Sequence, residues 1–131
     1  MVSLFFLLAP AASAADGAVA VSFTVESMSA RGADRLLARG GRHGEVVAHP
    51  TLTVSPGADG VFDVTYPLGR LRLDVAVEPV DGGDLATIGF LAPGSELATE
   101  VAARVDPDGT PVVLRQDVGK TSWLTFVTFS R

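Results

Sequence analysis

The chain has no cysteine. Disulfides, thiolate metal centres and cysteine nucleophiles are therefore excluded together, and stability must come from a packed core. Lysine is almost absent, with one residue against nine arginines. That imbalance reads as a compositional habit and not as a functional signal. Charged residues make up only 19% of the chain, and aromatic residues 7%, with a single Trp and a single Tyr. Bases are outnumbered by acids, giving a formal net charge of −5. This weighs against nucleic acid as a partner, because phosphates would be repelled, and against adsorption to anionic lipid. No apolar run reaches the ~20 residues that a membrane-spanning helix needs. Motifs of chemistry are missing as well. There is no G-x-S-x-G elbow, no H-E-x-x-H and no glycine-rich phosphate loop.

What the chain does have is alternation. In Gly69–Gly83 (GRLRLDVAVEPVDGG), Leu71, Leu73, Val75 and Val77 fall on one side of an extended chain, and Arg70, Arg72, Asp74, Ala76 and Glu78 on the other. A helix would scatter these residues, so the pattern predicts a strand with one face in a core. The other segments read as strands laid against this one. Ala18–Ser27 alternates around Val19, Val21, Phe23 and Val25. Glu45–Val54 is interrupted by Pro50, which cannot donate to a ladder, so that strand is an edge, is bulged or begins after the proline. Val61–Tyr66, Leu85–Leu91, Leu97–Val105, Pro111–Gln116 and Ser122–Ser130 complete the set. The last is apolar on both faces and is expected to be central or sandwiched. Ser55–Gly60, Asp81–Asp84 and Asp106–Gly109 are turns by composition. Ala33–Arg39 is the exception, a short helix stopped by Gly40-Gly41. The expected fold class is all-β, an antiparallel sandwich or curled sheet of about seven or eight strands with one short helix near residues 33–39.

Met1–Ala15 (MVSLFFLLAPAASAA) reads as a secretory signal peptide cleaved after Ala14 or Ala15, although no Lys or Arg precedes its apolar run. The expected organisation is residues 1–15 as leader and 16–131 as one exported domain, periplasmic or secreted.

The order of hairpins in residues 44–131 resembles the C-terminal domain of bacterial secretins, the outer-membrane channels of secretion and pilus systems. Pro50, Leu52, Thr53 and Gly57 match a P-x-L-T-x-x-x-G strand, and Gly69, Leu73, Val75 and Pro79 a G-x-x-L-x-V-x-P strand. A hairpin of V-x-V-x-D-G-x-x-V-V-L type is matched by Val101, Val105, Asp108, Gly109, Val112, Val113 and Leu114, and the closing strand by Phe126, Val127 and Thr128. Arg115–Val118 stands where secretins usually carry a glycine pair. The segment that shapes the membrane-inserting lip and the ring-building modules have no counterpart here. The resemblance therefore implies a small exported β domain in a secretion or pilus system and does not imply a pore.

Few residues offer chemistry. His43 and His49, with Met28, have the composition of a copper site, but their spacing puts no two at standard ligand positions. The expectation is a turn histidine and a strand histidine. Asp81–Asp84 and Asp106–Asp108 could offer oxygens to calcium, but turn chemistry explains them better. No residue is assigned a catalytic, cofactor-binding or metal role, and no cofactor is expected. Charge is unevenly spread. Residues 59–117 hold eleven acids and four arginines, whereas residues 31–42 hold four arginines and one acid. The favoured expectation is that the basic segment docks on the chain's own acidic sheet. The other is that the basic helix of one copy meets the acidic face of the next. The expected function is non-catalytic, in binding a protein partner or in self-association. A metal- or ligand-binding sandwich, or a small hydrolase using His43 or His49, is the alternative.

Overall fold

A computed structural model describes residues 17–131, so the leader expected at Met1–Ala15 lies outside the described residues. The elements run β1 (Val19–Ser29), α1 (Ala30–Arg39), β2 (Glu45–Ala48), β3 (Thr51–Val54), β4 (Ala58–Tyr66), β5 (Gly69–Val80), β6 (Gly83–Leu91), β7 (Thr99–Arg104), β8 (Val112–Val118) and β9 (Thr121–Ser130). They form two antiparallel sheets. The meander sheet has the order β4-β5-β6-β7. The terminal sheet has the order β2-β1-β9-β8, with β3 beside the first half of β1.

The alternation seen in the sequence fills the space between them. Val19, Val21, Phe23 and Val25 of β1 face inward, as do Leu71, Leu73, Val75 and Val77 of β5, and each is at most 1% exposed. Ala86, Ile88 and Phe90 of β6 and Trp123, Val127 and Phe129 of β9 join the same cluster. The expected all-β sandwich with one short helix is the fold. As expected, β9 is central, paired with β1 on one side and β8 on the other. Its second apolar face is used too, because Leu124 packs under Ala33 and Leu36 of α1, with Phe126 and Met28 beside it.

Nine strands are found among the described residues, one more than the upper expectation, because Glu45–Val54 splits at His49-Pro50. Both halves pair with β1, whose register slips between Val25 and Glu26. Pro50 has no N–H to give, and its carbonyl instead accepts from Phe23 N at 2.9 Å. The helix begins three residues earlier than expected. Ser29 caps it, its hydroxyl accepting from Gly32 N at 3.0 Å. Gly40 ends it at φ 74°, donating to Leu36 O at 2.8 Å. Leu97 lies outside β7 because Gln116 takes over the local backbone. Its Oε1 accepts from Ala92 N at 2.7 Å, and its Nε2 donates to Leu97 O at 2.7 Å and to Thr99 Oγ1 at 3.0 Å.

The antiparallel registers sort the connections into two ends. One end carries the β3–β4, β5–β6 and β7–β8 connections with Gly17 and Arg131. The other carries the β4–β5, β6–β7 and β8–β9 connections and the β1–α1 junction. Along the sides the sheet edges face each other, β3 against β4 and β7 against β8. Tyr66 Oη donates to Val47 O at 3.2 Å across one of these seams.

Thr125 points into the core, and its hydroxyl has no hydrogen-bond partner among the described residues. A buried unpaired hydroxyl costs about 1–3 kcal/mol. Thr125→Val, which keeps the shape and removes the hydroxyl, is expected to raise stability by about 1 kcal/mol, read as an upward shift of the urea midpoint with an unchanged slope.

Candidate functional site

The site with the most chemistry is α1 with the loop that follows it, laid on the outer face of the terminal sheet. The helix sequence ARGADRLLAR puts Ala33 and Leu36 on one side, where they are buried, and Arg31, Arg35 and Arg39 on the side away from them. Residues four apart on a helix rise ~6 Å. The three arginines therefore form an exposed row, which Arg42 extends into the loop. None of the four has a carboxylate within salt-bridge distance among the described residues.

This overturns the expectation that the basic segment docks on the chain's own acidic sheet. The helix is held by apolar contact with Leu124, on the sheet that carries few acids, so its arginines are left facing outward. The one ion pair between helix and body runs the opposite way, from Arg115 of β8 to Asp34 of the helix at 2.7 Å. Arg115 Nε also donates to Asp117 Oδ1 at 3.0 Å, and Ser122 Oγ to the same oxygen at 2.6 Å. The Ser122 hydroxyl and then Arg115 hold the Asp117 carboxyl below its ordinary value of 3.8. A folded-state value lower than the unfolded one contributes stability above the unfolded value and loses it as pH falls through the folded one. Asp117→Asn is accordingly expected to cost about 0.5 kcal/mol at pH 7, an exposed pair being weak. The gap from wild type should narrow below about pH 4, as measured by urea unfolding at both pH values.

Beneath the loop lies a buried carboxylate. Glu26 on the outer face of β1 is 3% exposed. Its Oε2 accepts from His43 Nδ1 at 2.8 Å and its Oε1 from Gly44 N at 2.9 Å. The His43 ring tilts over Phe126, 5.5 Å between centroids. An ionised carboxylate only accepts, so the proton on Nδ1 belongs to His43 and Nε2 is the free nitrogen. His49 sits between β2 and β3. Its Nδ1 is 3.1 Å from Phe23 O and 2.9 Å from Thr24 Oγ1. A carbonyl also only accepts, so this Nδ1 is a donor and not a base toward Thr24.

The fold thus brings both histidines to one face of β1, onto Thr24 and Glu26, two residues apart. Glu26 gave no signal in the sequence, where it is one polar position in an alternating strand. Met28 lies beside the same loop, against Gly44. Among the described residues, no three His, Asp or Glu side chains converge as a metal ion would require. Of the acidic turns, Asp106 does turn chemistry, its Oδ1 accepting from Asp108 N at 3.0 Å, whereas Asp84 Oδ2 accepts from Arg131 Nη2 at 2.5 Å in a long-range ion pair. No helix among the described residues is long and apolar enough to cross a membrane.

Compared with protein-family models, with curated proteins and with solved structures, the chain matches none.

Proposed function

We propose that this protein is a non-catalytic, exported β domain that works by binding or assembly, with the arginine row of α1 as its docking surface. The observation that carries this reading is a cationic row on a chain of net charge −5, exposed and unpaired with any described carboxylate. Four exposed arginines close together repel one another, and an acidic partner would relieve that repulsion. Arginine's fork also suits carboxylates in bidentate pairs. Strand edges are a weaker route to association, because the edges of the two sheets lie against each other. The apolar run and small residues of Met1–Ala15 support export, and the secretin-like order of hairpins in residues 44–131 supports a place in a secretion or pilus system.

The test is retention on an acidic matrix. At neutral pH and low salt, a protein of this net charge should pass a poly-glutamate column unless a local cationic surface holds it. Wild type is expected to be retained and to elute with salt, and Arg31→Glu/Arg35→Glu/Arg39→Glu to pass through. A wild type that flows straight through would remove the arginine row as a docking surface. For export, fractionation of a Gram-negative host should find the chain outside the cytoplasm, with an amino terminus at Ala15 or Asp16. A full-length cytoplasmic product would remove that part.

A second reading has one observation in its favour. A histidine whose Nδ1–H is held by a carboxylate, with Nε2 turned away, is the arrangement of a metal ligand or a general base. Thermal melting with added copper or zinc separates the two. A stabilising shift lost in His43→Ala would favour a metal-binding sandwich, and the absence of any shift favours the docking reading.

A further inference from the structure

One end of this chain is acidic. The end with the β3–β4, β5–β6 and β7–β8 connections holds Asp59, Glu78, Asp81, Asp84, Asp106 and Asp108. Two arginines lie among them. Arg131 is engaged by Asp84 and by Gly17 O at 3.2 Å, and Arg104 Nη2 lies 3.4 Å from Asp81 O. The acidic turns are close together, since Leu85 pairs with Arg104 and Val105 N donates to Asp84 O at 3.0 Å.

The opposite end is basic only through the row on α1, Arg31, Arg35 and Arg39 with Arg42 beyond it, which lies on the outer face of the terminal sheet beside that end, and through Lys120 in the β8–β9 turn. Of the acids near it, Asp34 and Asp117 are paired with Arg115, Asp63 is paired with Arg70 and Glu26 is buried under His43, leaving Glu45, Glu96 and Glu100. Two leucines on neighbouring connections stand out from this end, Leu68 at 79% and Leu97 at 81% exposure. Their connections touch, because the Gly69 backbone meets that of Gly94. At the acidic end the exposed apolar residues are Val80 and Val113. The acidic end and the arginine row thus each have exposed apolar side chains nearby, which water solvates poorly.

We propose that the arginine row of α1 beside the basic end of one copy docks on the acidic end of the next, so that this chain associates head to tail. The proposal rests on the docking reading above and names its partner as a second copy of the chain. The two surfaces are different, so the contact is heterologous. A dimer formed this way still has one free basic end and one free acidic end. Growth continues until a ring closes or a filament forms. The charged contacts are solvent-exposed, so salt weakens the association.

The experiment is sedimentation of the full chain, with mixing of one-ended variants. At about 0.01 M salt, where screening reaches roughly 30 Å, the average mass of wild type should rise with concentration beyond that of a dimer. At about 1 M salt, where it reaches roughly 3 Å, the protein should return to monomer. Arg31→Gln/Arg35→Gln/Arg39→Gln neutralises only the basic surface, and Asp81→Asn/Asp106→Asn only the acidic one. Each variant alone should be monomeric. Mixed in equal amounts they should form a one-to-one dimer and nothing larger, because only one intact surface of each remains. All five positions are exposed, and circular dichroism of each variant checks that it is folded.

A wild type that stays monomeric at low salt overturns the proposal, as does a mixture that stays monomeric or grows past a dimer. The two levels fail differently. Monomeric wild type that is still held by poly-glutamate means that the arginine row serves another acidic partner. Monomeric wild type that is not held means that the docking reading itself is wrong.

Discussion

Phe23→Ala lowers the stability of this protein by about 3–5 kcal/mol, the expected cost of emptying a fully buried aromatic site. Phe23 is among the largest side chains with no exposure at all. It stands at the middle of β1, paired with Val127 of β9 and donating its backbone N–H to Pro50 O. The residues around it belong to both sheets, so no single element can move in to close the gap. Typical domains have 5–15 kcal/mol in total, so much of the folded population would be lost on mild heating. The measurement is urea unfolding followed by Trp123 fluorescence. Trp123 is the single tryptophan and lies in the same core cluster. A loss below 1 kcal/mol would mean that the two sheets do not close on Phe23 as described. Phe23→Leu is the control, and should cost clearly less because most of the volume is kept.

The positions that were legible in the sequence are those where one physical rule acts alone. Leu71, Leu73, Val75 and Val77 announce β5 because a period of two has one explanation when half the residues are apolar. WLTFVTF announces a strand covered on both faces, and α1 is what covers the second one. The places that were not legible are those where partners come from far along the chain. Glu26 is 17 residues from His43 and looks like any polar residue facing water. Gln116 sits in an ordinary strand, yet it completes the backbone of the β6–β7 connection 24 residues away. The helix starts at Ala30 and not at Ala33 because Ser29 caps it, and a capping role is recognised only once the helix is known. The arginines of residues 31–42 are legible as a basic helical row, with the chain's own acidic sheet as the favoured partner. Which acids they meet depends on where the helix docks, and that is set by Ala33 and Leu36, not by charge.

Gly69→Ala should cost about 3 kcal/mol, a large loss for the addition of one methyl group. Two independent penalties act at this position. Gly69 has φ +145°, outside the range that a residue with Cβ adopts without strain, and such strain costs about 1–3 kcal/mol. A Cβ built there would also lie 2.5 Å from Gly94 N and 3.3 Å from the carbonyl carbon of Pro93. Both neighbours are backbone, which cannot rotate aside as a side chain would, and overpacking of this kind costs about 1–3 kcal/mol. The clash has a direction. Relieving it pushes the β4–β5 turn, with Leu68, away from the β6–β7 connection, with Leu97. Gly94 already lies against Val118, so the second connection has no room to retreat. Gly57→Ala is the comparison. It also has positive φ, at 90°, but nothing lies within 4 Å of its added Cβ. It should pay the conformational penalty alone and cost about 1 kcal/mol. Unfolding free energies of the two variants side by side separate strain from collision. Equal costs would mean that the two connections are not in contact, and the basic end would then lack the pair of neighbouring leucines on which its apolar part depends. A larger cost at Gly69, together with a changed sedimentation profile at low salt, would tie that contact to association.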